Sequence, residues 1–183
     1  MILLRHAQSL FNVTYAKTRI DPGIEDPQLT DLGHEQARAM AERLRGAPIR
    51  RVITSPYTRA LQTTQIVNAA LGVPVTVERL VSERGAFVCD VGTARDELAA
   101  RWPDFDFSHL DNRWWRQDET ENELLDRCRI FRAARAREAE WPNVLVITHW
   151  GFIRGLTGVT VSNAETIGFD PTASPVDNPF AKD

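Results

Sequence analysis

The chain has 183 residues, 43% of them hydrophobic and 26% charged, which is enough for one well-buried core and too little for a second full domain. Its net charge of -3 and sequence pI near 5.8 provide no general positive surface to collect phosphates, so neither nucleic acid nor a membrane is an expected partner. No run of about 18 apolar residues reads as a membrane span, Arg5 arrives too early for a signal peptide, and Cys89 and Cys128 lack disulfide-scaffold or zinc-site spacing; both read as free thiols, and the expected location is cytoplasmic.

Residues 1–4, "MILL", read as a first strand, and Arg5 and His6 follow it directly. In "TDLGHEQARAMAERLRG", Thr30 or Asp31 supplies a cap, apolar positions recur at Ala37, Met40, Ala41 and Leu44, and Gly46 ends the helix. "RRVITS", residues 50–55, is a second strand. A helix follows in "YTRALQTTQIVNAALG", with Leu61, Thr64, Asn68 and Leu71 in register before Gly72, and Ile66 and Val67 widening the stripe. "VPVTVERL", residues 73–80, is the third strand candidate. Residues 82–120 then break the pattern. They combine "ERGAFVCDVG", a short helix at 93–101 and the aromatic-rich "RWPDFDFSHLDNRWW", and read as an excursion over the sheet and its site. "ENELLDRCRIFRAARAREAE" places Leu124, Cys128 and Phe131 on one helix face with Leu125 beside them, while its arginine-rich part reads as a solvated face. "NVLVITH", residues 143–149, is a fourth strand, and residues 170–183, with three prolines, read as an irregular tail. Strands alternating with helices predict an α/β fold: one domain over residues 1–169, with a mostly parallel central sheet and helices on both faces.

In such a fold, ligands bind beyond the carboxyl ends of the strands. Four chemistry-bearing places fall there: Arg5 with His6, Arg59 four residues after Ser55, Glu83 and His149. "SPYTRA" predicts a Ser or Thr helix cap with Arg59 in the first turn, where an arginine is unfavourable to the helix dipole unless an anion binds. A neutral imidazole can attack phosphorus, and two arginines can spread their donors over the phosphoryl oxygens. A second, protonated imidazole can add a donor, and a carboxylic acid can protonate the departing oxygen. This inventory calls for no metal and no cofactor.

The same residues carry a family resemblance. "RHAQSLFN", residues 5–12, "SPYTRALQTT", residues 55–64, the helix "LTDLGHEQARAMAERL" between them, and "ITHWGFIRGL" agree in order with one family. Over roughly residues 1–158 the chain resembles the histidine phosphatase superfamily, in its phosphoglycerate-mutase-like branch. The resemblance implies His6 as the phosphorylated nucleophile. It implies Arg5, Arg59 and His149 as holders of the phosphoryl group, Asn12 as an added contact, and Glu83 as proton donor, with Glu78 and Asp90 as nearby alternatives. Two positions depart from the family pattern. Ala7 replaces the usual glycine after the nucleophile, and Trp150 replaces a common glycine after His149, where its indole would either floor the substrate pocket or pack away from it. His34 reads as structural or superficial, and His109 as a weak candidate at the opening. Trp114, Trp115, Phe105 and Phe107 read as a packed cover rather than a stacking platform for nucleic acid. The expected activity is hydrolysis of a small phosphorylated metabolite. A mutase-type phosphoryl transfer and a non-catalytic phospholigand-binding module stand as alternatives, and a homodimer is left open.

Overall fold

Leu3 and Leu4 are adjacent, both fully buried, and they belong to different apolar clusters. That is what a strand covered on both faces requires. The computed structural model describes residues 1–176 and 179–180. Its sheet holds β1 (Ile2–Arg5), β2 (Arg51–Thr54), β3 (Val75–Val77), β4 (Val144–Thr148) and β5 (Thr166–Gly168) in the order β3-β2-β4-β1-β5. The first four are parallel to their neighbours, and β5 pairs antiparallel to β1 at the edge. The helices are α1 (Leu10–Thr18), α2 (Asp31–Leu44), α3 (Thr58–Leu71), α4 (Arg95–Arg101), α5 (Glu121–Ala136) and α6 (Trp150–Thr157). One face of the sheet packs Leu3, Ile53 and Val146 against Leu124 and Phe131 of α5 and Phe152 and Leu156 of α6. On the other face, Leu4, Val52 and Leu145 meet Met40 and Leu44 of α2 and Ala60 and Val67 of α3. The result is a single α/β domain with helices on both faces, as the alternation predicts.

Thr30 caps α2 by accepting the Gly33 N–H at 3.0 Å, and Gly72 ends α3 in the left-handed conformation at φ 64°. Other boundaries differ from expectation. The third strand shrinks to three residues because residues 79–81 turn into a short 3-10 helix. The cap of α3 is not its local Ser or Thr. Tyr57 holds the cap position, and the carboxylate of distant Asp26 accepts both the Thr58 N–H at 2.8 Å and its hydroxyl at 2.7 Å. Neither α1 nor β5 was expected: α1 buries no residue and so has no apolar stripe, and β5 is only three residues long.

The excursion divides in two. Residues 83–90 run along the carboxyl ends of the strands, while Phe107, Leu110 and Trp114 pack on Tyr57, Leu61 and Val77, with Phe105 and Trp115 against them. Beyond β5, residues 170–173 turn, and the Pro179 carbonyl accepts from Arg154 of α6 at 3.1 Å. The rest of the irregular tail read from the sequence, residues 177–178 and 181–183, lies outside the described residues. No helix among the described residues is long and apolar enough to cross a membrane.

Candidate active site

A cavity of about 700 Å³ opens at the carboxyl ends of the strands, and Arg5, His6, Asn12, Arg59, Glu83 and Trp150 all line it. His149 is fully buried beside it, its ring centroid 5.0 Å from that of His6. All seven site residues read from the sequence therefore come together, delivered by β1, α1, α3, the residue 83–90 segment and the start of α6.

His6 leaves β1 with its N–H donated to the Thr148 carbonyl at 2.9 Å, and it is nearly completely buried. Its Nδ1 lies 2.7 Å from the Ala7 carbonyl, an acceptor only, so the ring proton sits on Nδ1 and Nε2 carries a lone pair. Burial, reinforced by the charges of Arg59 and Arg5, holds the imidazole well below its ordinary 6.5, in the neutral form that can attack. Ala7 takes no part in the cavity wall. It is buried with Leu29 and Ala37, its N–H donates to Thr63 Oγ1 at 3.1 Å, and its φ is not positive, so the position does not require glycine.

The two arginines are anchored differently. Arg5 donates from one terminal nitrogen to the Val161 carbonyl at 2.8 Å, and its buried Nε has no partner among the described residues. Arg59 donates to the Cys89 carbonyl at 2.9 Å and Asp90 Oδ1 at 3.1 Å, and its guanidinium lies 4.3 Å from the Tyr57 ring centroid. Its charge thus has a buried counter-ion in Asp90, a partner that the reading of the helix start did not include. His149 takes the cap position of α6. The Ser55 hydroxyl lies 2.8 Å from Nε2 and accepts the Tyr57 N–H at 3.4 Å. Its Nδ1 is buried and unpartnered among the described residues. Burial and the charge of Arg59 hold His149 well below 6.5 as well. It is therefore a neutral imidazole here, whereas the sequence reading invoked a protonated one.

Glu83 settles against the start of α6. Its Oε1 accepts the N–H groups of Arg84 and Gly151, both at 2.9 Å. Burial first, then the charge of Asp90, pushes its pKa above the ordinary 4.5, as a proton donor needs. Of the alternatives, Glu78 lies outside the cavity near Arg135, at 3.8 Å. Asp90 lines the cavity, but it is committed to Arg59 and to the N–H groups of Ala86 and Phe87 at 3.1 and 3.0 Å. Asn12 Oδ1 accepts from the Ser9 N–H, the Ser9 hydroxyl and Asn163 Nδ2, each at 3.0 Å, which leaves the Asn12 amide NH2 to donate.

Several contributors escaped the sequence reading. Arg127, read there as part of a solvated face, is buried: it makes a two-pronged pair with Glu119 at 2.9 and 2.6 Å. The same guanidinium donates to the carbonyls of Leu80, Ser82 and Glu83 at 2.8, 2.7 and 3.2 Å, fixing the backbone that carries Glu83. Asn163 donates to the His6 carbonyl at 3.1 Å from a segment with no motif. Gly151 was legible only as a residue next to Trp150; a Cβ there would lie 2.3 Å from Glu83 Oε1. Trp150 lines the cavity half-buried, with the Arg154 guanidinium 5.3 Å from its ring centroid. His109 bonds the Val77 carbonyl at 2.9 Å, and neither it nor His34 lines the cavity. Among the described residues, no group of three or more His, Cys, Asp or Glu side chains is placed to hold a metal ion.

The chain is 35% identical over 107 residues to a 2,3-bisphosphoglycerate-dependent phosphoglycerate mutase of Methylobacterium sp. (strain 4-46), a match covering 56% of this chain and 49% of the mutase, so it spans about half that relative's length. It is 26% identical over 180 residues to putative phosphoserine phosphatase 2 of Hydrogenobacter thermophilus, covering 93% of this chain and 84% of that one. In fold alone it is similar to the ecdysone phosphate phosphatase of Bombix mori, at a TM-score of 0.64 and 17% identity over 96% of this chain and 94% of the other. The profile described as histidine phosphatase superfamily (branch 1) matches residues 1–174, nearly the whole domain built around His6, and the chain belongs to that family.

Proposed function

We propose that the chain is a phosphomonoesterase that hydrolyses a small phosphorylated metabolite through a phosphohistidine on His6. Phosphomonoester hydrolysis or phosphoryl transfer is the general activity of its superfamily. The observation that carries the finer reading is the pairing of a neutral, tautomer-fixed His6 with a carboxyl group, Glu83, whose pKa is raised, in one arginine-lined cavity.

Arg5, Arg59, His149 and the Asn12 amide hold the non-bridging oxygens and offset the charge that builds on them. His6 Nε2 attacks phosphorus as the ester P–O bond breaks, and the Glu83 proton goes to the departing oxygen. The alcohol leaves. The Glu83 carboxylate then takes a proton from water, whose oxygen bonds to phosphorus as the N–P bond breaks, returning neutral His6 and inorganic phosphate. The ordinary backbone at Ala7 supports turnover over a binding module, because the departure from glycine distorts nothing beside the nucleophile.

A mutase reading draws on Arg19 and Arg84, which also line the cavity and are cations of the kind a second phosphoryl group needs. Arg84 already has a carboxylate partner in Glu121 at 3.1 Å, which favours hydrolysis over a second phosphoryl site. The proposed setting is the cytoplasm, with Cys89 and Cys128 as buried free thiols. The test is phosphate release from p-nitrophenyl phosphate with EDTA present, for the protein and for His6→Ala. Turnover in the first and none in the second is expected. Isomerised phosphoglycerate, formed only when a bisphosphate is added, would replace the reading with the mutase.

A further inference from the structure

The cavity has a polar lining that includes His6, Arg5, Arg59, Glu83, Asn12 and Asn163. It also has an aromatic one. Phe11 and Tyr15 lie one turn apart on α1, with ring centroids 5.1 Å apart, and Phe87, reaching over from the residue 83–90 segment, lies 5.4 Å from Phe11 and 5.2 Å from Tyr15. All three rings line the cavity together with Ala16, Ala86 and Trp150. None is buried, and Phe87 is 40% exposed. Helix α1 contributes no buried residue to any core, so its aromatic side is a wall of the cavity and not a support for the sheet.

We propose that this wall is the leaving-group subsite and that it takes an uncharged, ring-bearing apolar alcohol, so that the preferred substrate is the phosphate monoester of such an alcohol. Three aromatic rings in mutual contact present flat and edge surfaces to another ring, and they offer a polyhydroxylated group almost no partners for its hydroxyls, which would lose water without replacement. The volume agrees. At about 700 Å³ the cavity has the size of sites that enclose a drug-sized molecule, with ample room beside the phosphoryl group. Two cations also line the cavity: Arg84 pairs with Glu121 at 3.1 Å, and Arg19 lies 5.7 Å from the Tyr15 ring centroid, so the charge nearest this wall packs on an aromatic face. Of the aromatic residues, those of the excursion's own core, Trp114 and Phe107 among them, take no part in the wall.

The inference rests on the phosphatase reading for its term "leaving group", so its test uses binding and does not depend on turnover. The probes are two non-hydrolysable phosphonates, 2-naphthylmethylphosphonate and 2,3-dihydroxypropylphosphonate, titrated by calorimetry against the protein, Phe87→Ala and Phe87→Tyr. The naphthyl compound is expected to bind at least about tenfold more tightly, a preference that falls to within about threefold of unity in Phe87→Ala and is retained in Phe87→Tyr. Equal affinities in the unaltered protein, or a preference untouched by Phe87→Ala, would overturn the subsite. A merely structural role for Phe87 would weaken both phosphonates together and leave their ratio unchanged. A naphthyl preference in a protein that hydrolyses no monoester would uphold the subsite while removing the phosphatase reading.

Discussion

Replacing Gly151 with alanine would put a methyl carbon 2.3 Å from Glu83 Oε1 and 3.3 Å from its Cδ. The Gly151 φ is not in the left-handed region, so the substitution strains contacts and not the backbone. The atom in the way is the tip of a side chain, which yields by rotating, so the fold loses little. To reach ordinary van der Waals contact the carboxyl group must retreat by about 1 Å, a displacement that costs a positioned catalytic group on the order of 100-fold. It also gives up its hydrogen bonds to the Gly151 N–H at 2.9 and 3.2 Å. The loss should depend on the leaving group, because only a poor one needs the Glu83 proton. Steady-state kinetics of Gly151→Ala should therefore show kcat/KM for an alkyl phosphate falling about 100-fold, while kcat/KM for p-nitrophenyl phosphate, whose leaving group departs unaided, falls by less than about fivefold. A parallel loss for both substrates, or none for either, would refute the placement of Glu83 as the acid.

Arg127→Met would strand the buried Glu119 carboxylate and the carbonyls of Ser82 and Glu83; urea unfolding should show a loss of about 3–5 kcal/mol, with part regained when Glu119→Gln is added. Ala7→Gly should cost up to about 1 kcal/mol of stability by the same assay and leave kcat/KM within about twofold, because the methyl packs on Leu29 and Ala37 and not in the cavity. The pH profile of kcat/KM for an alkyl phosphate should be bell-shaped. Its acid limb, the protonation of His6, lies below 6.5, its alkaline limb, the ionisation of Glu83, lies above 4.5, and Glu83→Gln should abolish the alkaline limb. Stability should respond too. His6 and His149 bind protons less readily folded than unfolded, so the unfolded chain takes up more protons as pH falls through 6.5, and their contribution to stability, full above that value, is lost below it.

Much of the fold and most of the site could be read from residue order. The strands around Leu3–Leu4, Val52–Ile53 and Val144–Ile147 are apolar on both faces, and the helices α2, α3 and α5 carry regular stripes, so periodicity alone reveals the layers. Arg5, His6, Arg59 and His149 are recognisable because each follows a strand or opens a helix. The missed parts belong to contacts between distant segments. Arg127 sits among exposed arginines of the same helix, and only the folded chain shows that its carbonyl partners lie 44 to 47 residues away. Asp26 replaces a local cap of α3 from 32 residues away. Helix α1 has no stripe to detect because its aromatic side lines a cavity instead of a core. The aromatic residues conspicuous in the sequence, around Trp114, are packing, while Phe11, Tyr15, Phe87 and Trp150, which line the cavity, are scattered singly along the chain.

The central claim is that the phosphoryl group passes through His6, and Glu83→Gln offers the most direct view of it. With p-nitrophenyl phosphate the first step needs no acid, but the second loses its base. Rapid mixing followed by alkaline quench and peptide mass spectrometry should show a burst of about one equivalent of p-nitrophenol and a phosphoryl group on the His6 peptide. A phosphoryl group on another residue, or a burst that survives in the His6→Ala, Glu83→Gln double variant, would contradict it.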